Sequence, residues 1–374
     1  MANSNLGDAK KAKNDEFYTQ YADIEKEMNA YLEYNPDVFR GKTILLPCDD
    51  PEWSNFTKYF AQNFETFGLK KLISTSYAPN SKPKEIPYQP TLFEDSFFDA
   101  EKDKAHGKIF RLEEDKTGNG VVNVEDLEWS YLEGDGDFLS EEVAKLRDEA
   151  DVVITNPPFS KFRLFLNWLV ESEKDFVVVG NMNAITYKEV FSLIMRNKLW
   201  LGATSNGSDM VFRVPEGFEI SPKDREKAEK LGYVGDYTRL GNSCWFSTID
   251  HGVRHKPLQL MSMSENMKFS KHDGVRGGYR QYDNYEAIEV PRVEAIPSDY
   301  EGVMGVPITF LSKYNPDQFE ILFKTERDNP ERTRIYPDKE FANANDLNRG
   351  PTVLVDGQPK NLYQRIMIRH RRPQ

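Results

Sequence analysis

The run Asp151-Val-Val-Ile-Thr155 leads straight into Asn156-Pro157-Pro158-Phe159, and this junction constrains the fold more than any other stretch of the chain. A short apolar, β-branched run reads as a strand buried on both faces. The two prolines fix φ and remove two backbone donors, so the strand ends there and leaves carbonyls without competing N–H groups. A doubly buried strand needs helices on both sides, and the neighbouring sequence alternates accordingly. Lys42-Thr-Ile-Leu-Leu-Pro47 reads as a strand ending in the polar turn Cys48-Asp49-Asp50-Pro51. A helix over 54–64 with Ser54 as N-cap and a strand over 69–77 complete a β–α–β unit. After Phe159 come a helix (162–172), a strand (176–180), a helix (187–198) and a short strand (199–203).

Helical spacing of Phe17, Tyr21, Ile24, Met28, Tyr31 and Leu32 predicts a first helix over 16–34, closed by Pro36. The stretch 78–90 reads as loop, and 107–129 as a hairpin pairing 108–112 with 121–124 around Gly118-Asn119-Gly120. A further helix spans 140–149. The expectation is an α/β chain with a doubly wound, Rossmann-like sheet, whose ligands sit at the carboxyl ends of the strands. The two most polar strand ends are those at Asp49 and Asn156. The expected organisation is a flexible arm (1–14), a catalytic domain (15–204, with an insertion at about 78–133), a second region (205–321) with returning core elements, and a basic C-terminal extension (322–374).

The composition allows this and excludes several alternatives. Of 374 residues, 39% are hydrophobic and 13% aromatic, enough for a packed core. No stretch is long and apolar enough for a membrane span, and the polar N-terminus lacks a signal core. Cys48 and Cys244, far apart and without paired histidines, give neither a disulfide framework nor a zinc site. No metal is expected, and a cytoplasmic location is. The net charge of −12 is awkward for a nucleic-acid binder, but distribution matters more than the total. Residues 85–149 are acidic, whereas Arg254, His255, Lys256, Lys268, Lys271, His272, Arg276 and Arg280 gather cations, as do Arg365, Arg369, His370, Arg371 and Arg372. Solvated loops and a tail would explain both clusters equally well.

The Asn-Pro-Pro-Phe element carries the chemistry. The Asn156 side-chain oxygen and the Pro157 carbonyl can accept the two N–H bonds of an exocyclic amine such as that of adenine. Accepting them draws the nitrogen toward sp³ geometry and frees its lone pair for attack, and Phe159 can stack on the base. The competing reading is a proline turn that merely stops a strand.

The order Asp15-Glu16-Phe17-Tyr18-Thr19, Cys48-Asp49-Asp50-Pro51, Gly134-Asp135-Gly136-Asp137-Phe138 and Asn156-Pro157-Pro158-Phe159 resembles that of γ-class amino methyltransferases. The chain is similar, more closely, to the EcoRI-type adenine-specific DNA methyltransferases. Ile185-Thr-Tyr-Lys-Glu-Val-Phe191, Asp283-Asn-Tyr285 and the stretches 302–310 and 315–321 match as well. The resemblance runs from about Asp15 to Ile321. It implies S-adenosylmethionine as methyl donor, duplex DNA as partner, and a flipped-out adenine as target. It also implies that Phe17, Tyr18 and Thr19 meet the methionine moiety and that Cys48, Asp49, Asp50 and Pro51 form the first cofactor loop. Asp135, Asp137 and Phe138 would then meet the cofactor adenine. Asn156, Pro157, Pro158 and Phe159 would hold the target. Trp245 is a candidate cover for the base's other face, core packing being the more common role for such a ring. The candidates for DNA contact are Arg254, Lys256, Lys271, Arg276 and Arg280. A cognate restriction endonuclease is a candidate partner, and no obligate protein partner is evident.

The first loop departs from the common pattern in lacking Gly-x-Gly, and the second strand ends in Ser74-Thr-Ser-Tyr77 without a ribose-binding carboxylate. Two other functions stay open on sequence: methylation of RNA or protein glutamine with the same motif, and a DNA-binding scaffold that has lost catalysis.

Overall fold

The computed structural model describes residues 17–49, 54–78, 102, 105–204, 210–214, 218–272, 274–337 and 346–371. The expected arm (1–14), Asp50, Pro51 and most of the 78–90 loop lie outside them. The chain divides into two compact units, Met1–Phe191 with Leu199–Gly252, and Ser192–Lys198 with Val253–Gln374. The expected boundary at 204/205 is thus replaced by one near 252, because the strands after residue 210 rejoin the sheets of the first unit.

In the first unit, β1 (Tyr18–Thr19) precedes helix α1 (Tyr21–Tyr34), so the expected 16–34 helix starts later. There follow β2 (Thr43–Leu46), α2 (Asn55–Gln62), α3 (Phe64–Phe67), β3 (Lys71–Thr75), β4 (Lys108–Leu112), β5 (Glu128–Tyr131), α4 (Glu141–Glu149) and β6 (Val152–Thr155). Then come α5 (Phe162–Ser172), β7 (Asp175–Asn181), α6 (Lys188–Met195, of which Ser192 onward counts with the second unit), β8 (Trp200–Leu201), β9 (Met210–Arg213), α7 (Pro222–Lys230), β10 (Tyr237–Leu240) and β11 (Ser243–Ser247).

Eight strands form one sheet in the order β5-β4-β3-β2-β6-β7-β11-β8. The central β3, β2, β6 and β7 are parallel, whereas β4, β5, β11 and β8 join antiparallel, so the sheet is mixed and not wholly parallel. The 108–112 strand pairs with 128–131 and not with 121–124. The intervening loop is instead held by carboxylates: Asp115 accepts from Gly118 N (2.6 Å) and Gly120 N (2.7 Å), and Asp126 from Lys116 N and Thr117 N (both 2.9 Å). The backbone donors that a strand at 121–124 would need also go to side chains: Val121 N to Asn119 Oδ1 (2.9 Å), Val122 N to Glu65 Oε1 (3.0 Å) and Asn123 N to Asp126 Oδ2 (2.9 Å).

Helices cover both faces of the large sheet. Phe56 and Phe60 of α2 share a core with Ile44, Leu46, Ile154, Val179 and Trp245. On the opposite face the Phe162 ring lies 5.3 Å from that of Phe246, and a Cβ on Gly180 would strike it at 2.3 Å. Glu27 of α1 is fully buried and accepts from Ala203 N (2.8 Å), Thr204 N (2.9 Å) and the Tyr31 hydroxyl (2.8 Å), tying the helix to the exit of β8. Burial pushes its carboxyl above the ordinary value against the pull of these donors. A separate three-stranded sheet has the order β1-β9-β10.

The second unit is built on α8 (Met263–Phe269), β12 (Ile288–Glu289), β13 (Met304–Pro307), β14 (Phe319–Lys324), β15 (Thr352–Val355), β16 (Gln358–Asn361) and β17 (Arg365–His370). Four strands pair in the order β12-β13-β17-β14, and β15 and β16 form a hairpin. The expected C-terminal extension is therefore integral, since its last strand lies between two others. Its arginines are engaged as well. Arg365 Nη2 meets Glu289 at 2.7 Å, Arg369 Nη2 meets Glu320 at 2.9 Å, and Arg371 Nε donates to the Phe319 carbonyl at 3.2 Å. Arg372 lies outside the described residues. No helix among the described residues is long and apolar enough to cross a membrane.

Candidate active site

From β2 the chain moves to β3 on one side and later returns as β6 on the other, which leaves the carboxyl ends of β2 and β6 side by side. That change of direction is where open α/β sheets bind ligands. Asp49, at the end of β2, ties the region together. Its carboxylate accepts from Ser54 Oγ (2.5 Å) and Thr155 Oγ1, and its carbonyl from Thr57 Oγ1 (3.1 Å) and Ser74 Oγ. Ser54 also caps α2 by accepting from Phe56 N at 3.1 Å. Asp49 is buried, so it braces the ends of β2, β3 and β6 and the start of α2 from inside the fold.

Asn156 follows β6. Its Nδ2 donates to the Phe17 carbonyl. A carbonyl oxygen can only accept, so the amide must present its NH₂ there and its oxygen elsewhere. That oxygen, Oδ1, is shielded from solvent and has no hydrogen-bond partner. A buried acceptor left empty costs about 1–3 kcal/mol, so such groups are uncommon outside working sites. Thr19 lies two residues beyond Phe17. Its carbonyl accepts from Asn55 Nδ2 at 2.8 Å, at the first turn of α2, and its buried hydroxyl also lacks a partner. Phe159 is buried, with ring centroids 5.5 Å from Phe17 and 6.1 Å from Phe212, both edge-on. Pro158 accepts from Lys161 N at 3.0 Å through its carbonyl, which turns the chain into α5.

The 134–138 segment is fixed by a close backbone crossing. Gly136 has φ +82°, and a Cβ there would lie 2.2 Å from the Ser76 carbonyl oxygen; one on Gly107 would lie 2.5 Å from it. Ala78 N donates to the Asp135 carbonyl at 2.8 Å, which brings this segment beside the end of β3. Asp135 Oδ1 accepts from Asp137 N (3.0 Å), and Asp137 accepts from Leu139 N (2.9 Å) and Lys161 Nζ (2.9 Å). Phe138 is buried against Phe165 (4.9 Å). Gly136→Ala is expected to destabilise the chain by about 2 kcal/mol or more, because a side chain at positive φ would also meet rigid backbone. Thermal unfolding of the purified variant checks this.

The structure thus brings Phe17, Thr19, Asp49, Asn156 and Phe159 to one end of the sheet. Cys48 is half-buried beside Asp49, and Tyr18, also half-buried, alternates to the other face of β1. Thr155 and Lys161 were missed, since a short hydroxyl residue and a lone lysine give no signal in spacing, and Ser54 was read only as a helix cap, not as a partner of Asp49. Trp245 is 0% exposed and packed edge-on against Phe56 (5.9 Å), so it is a core ring with no face open to a base. Arg254 is buried and bonds to Asn197, which removes it from the surface candidates. In the second unit Lys256, Lys268, Lys271, Arg276 and Arg280 are exposed and form no ion pair with a described residue. No group of His, Cys, Asp and Glu that could hold a metal occurs among the described residues.

A model of the family "Adenine-specific methyltransferase EcoRI" matches residues 5–371. The chain belongs to this family. It is 42% identical to the type II methyltransferase M.EcoRI of Escherichia coli over 321 residues, 86% of this chain and 89% of that one. It is 33% identical to the type II methyltransferase M.MpnI of Mycoplasma pneumoniae, covering 84% of this chain and 83% of the relative. The type II methyltransferase M.MgeORF184P of Mycoplasma genitalium is 32% identical over 96% of this chain and 97% of its own. No solved structure gives a significant match. The chain is accordingly an adenine-specific DNA methyltransferase.

Proposed function

We propose that the enzyme transfers a methyl group from S-adenosylmethionine to N6 of an adenine extruded from duplex DNA, within a Rossmann-like catalytic unit. One observation carries this reading: Asn156 holds an empty buried acceptor at the carboxyl end of β6 while its NH₂ is fixed on Phe17. A cooperating acceptor is the Pro157 carbonyl, which follows on a backbone stiffened by two prolines. Together they would hold the two N6 hydrogens, localise the nitrogen lone pair, and stabilise positive charge as it develops there. Phe159 would support the base. Extrusion costs a few kcal/mol, and the base must also displace the atoms that shield Oδ1.

The residues present fit the methyl donor. The empty Thr19 hydroxyl beside Phe17, at the first turn of α2, suits the polar methionine end. Asp135, Asp137 and Phe138, beside the end of β3, suit the adenosine end, with Cys48 and Asp49 at the neighbouring end of β2. When bound, S-adenosylmethionine supplies an electrophilic methyl group on a sulfonium centre.

Lys256, Lys271, Arg276 and Arg280 would meet DNA phosphates. Replacing Arg276 and Arg280 by alanine is expected to weaken DNA binding and to flatten the log–log salt dependence by roughly 2, near one unit per lost phosphate contact. Fluorescence anisotropy across a salt series checks this. Kinship with type II methyltransferases makes a restriction endonuclease reading the same sequence the natural partner.

The direct test supplies tritiated S-adenosylmethionine and duplex DNA, followed by nucleoside analysis. Label in N6-methyladenine is expected. Label confined to cytosine, or none despite cofactor binding, overturns the proposal.

A further inference from the structure

Asn156 is not alone in leaving a buried polar atom empty. Thr238 in β10 is 1% exposed, and its hydroxyl has no hydrogen-bond partner. Its place in the three-stranded sheet gives this meaning. Thr19 pairs with Phe212, and Phe212 with Thr238, across β1, β9 and β10. Residues directly opposite one another share a face, so the two threonines flank Phe212 on one surface. The Phe212 ring meets both Phe159 and Phe17 at 6.1 Å. That surface therefore faces the Asn-Pro-Pro-Phe element, and three buried polar atoms without partners border one aromatic cluster.

From this arrangement, and resting on the function proposed above, we infer that Thr238 contacts the target base, its hydroxyl donating to a ring nitrogen beside the amine. The chemistry of adenine sets the direction. N6 uses its two hydrogens on Asn156 and Pro157, and the atoms on either side of the C6 amine, N1 and N7, can only accept. A hydroxyl is donor and acceptor at once, so it can supply what they need. Thr19 lies beside α2, where the methionine end of the donor belongs, whereas Thr238 lies on the far side of Phe212, away from that helix. A buried hydroxyl without a partner weakens the free protein, and a site built around a hydrogen bond loses affinity steeply for a ligand that lacks the matching group.

The test uses the full-length enzyme, the near-isosteric Thr238→Val and the hydroxyl-retaining Thr238→Ser. Duplexes carry adenine, 1-deazaadenine or 7-deazaadenine at the target. Thr238→Val is expected to keep or raise the melting temperature without ligand, and to lower kcat/KM on adenine about tenfold, the value of one hydrogen bond. S-adenosylmethionine affinity by calorimetry stays as in wild type, and Thr238→Ser stays close to wild type throughout. One deaza substrate should lose a similar factor with wild type and nothing further with Thr238→Val. The inference is overturned by unchanged kcat/KM in Thr238→Val, by deaza penalties that multiply fully with the mutation, or by a loss confined to cofactor affinity. Should Thr238→Val fail to fold, wild type alone still decides: equal rates on all three duplexes overturn the inference. N6-methyladenine formation by wild type tests the underlying function separately, and it can stand while this inference falls.

Discussion

Asn156→Ala is expected to slow single-turnover methyl transfer by about 10²–10³-fold, as removal of one preorganised group at a developing charge does elsewhere. Cofactor and DNA affinities should stay near wild type, because the lost contact matters most when N6 becomes positive. The side chain has two separable jobs. Its Nδ2 holds the Phe17 carbonyl, and its Oδ1 waits empty. Asn156→Asp keeps an acceptor at the site but sets a second oxygen against Phe17, so it tests the anchor. If acceptance is the greater part, Asn156→Asp retains more activity than Asn156→Ala. Rapid-quench measurement of the methylated product separates the step from binding and release.

Arg365→Ala is expected to cost about 3–5 kcal/mol, the loss that follows when one member of a buried ion pair is removed. Arg365 and Glu289 have side chains only 12% and 7% exposed. Glu289 also accepts from the Tyr282 hydroxyl, so the carboxylate stays in a closed environment when its cation is gone. The pair joins β12 to β17, and Tyr282 reaches the Gly305 carbonyl of β13 at 3.3 Å. Its loss is thus felt across the sheet of the second unit. Arg369→Ala provides the contrast: Arg369 and Glu320 are 49% and 42% exposed, and an exposed pair contributes about 0–1 kcal/mol. Urea unfolding of the two variants should separate widely. Equal, small effects would show that the C-terminal strand is not integral to the second unit.

The parts of this architecture that follow from local pattern were legible in the sequence. Val152–Thr155 is a doubly buried strand because four apolar or β-branched residues leave no polar face, and α5 occupies the very span that its apolar spacing indicated. Ser54 caps α2 as its position before an apolar run suggests. What escaped depends on partners distant in sequence. Core packing is the more common role for a ring like Trp245, and burial bears it out, but that Trp245 and Phe246 sit on opposite faces of β11 follows only from the sheet order. Arg365 reads as part of a basic tail until Glu289, 76 residues away, is seen to hold it. Glu27 looks like an ordinary helix carboxylate, although Ala203 and Thr204 close over it. In the site, the Asn-Pro-Pro-Phe element was visible from its composition. The anchoring of Asn156 by Phe17, 139 residues away, was not.

A crystal structure of the enzyme with a non-reactive S-adenosylmethionine analogue and target duplex tests the central claim most directly. The extruded adenine should place N6 about 2.7–3.2 Å from both Asn156 Oδ1 and the Pro157 carbonyl oxygen. An adenine bound beside the cofactor with N6 facing other groups, and Asn156 Oδ1 still empty, would contradict it.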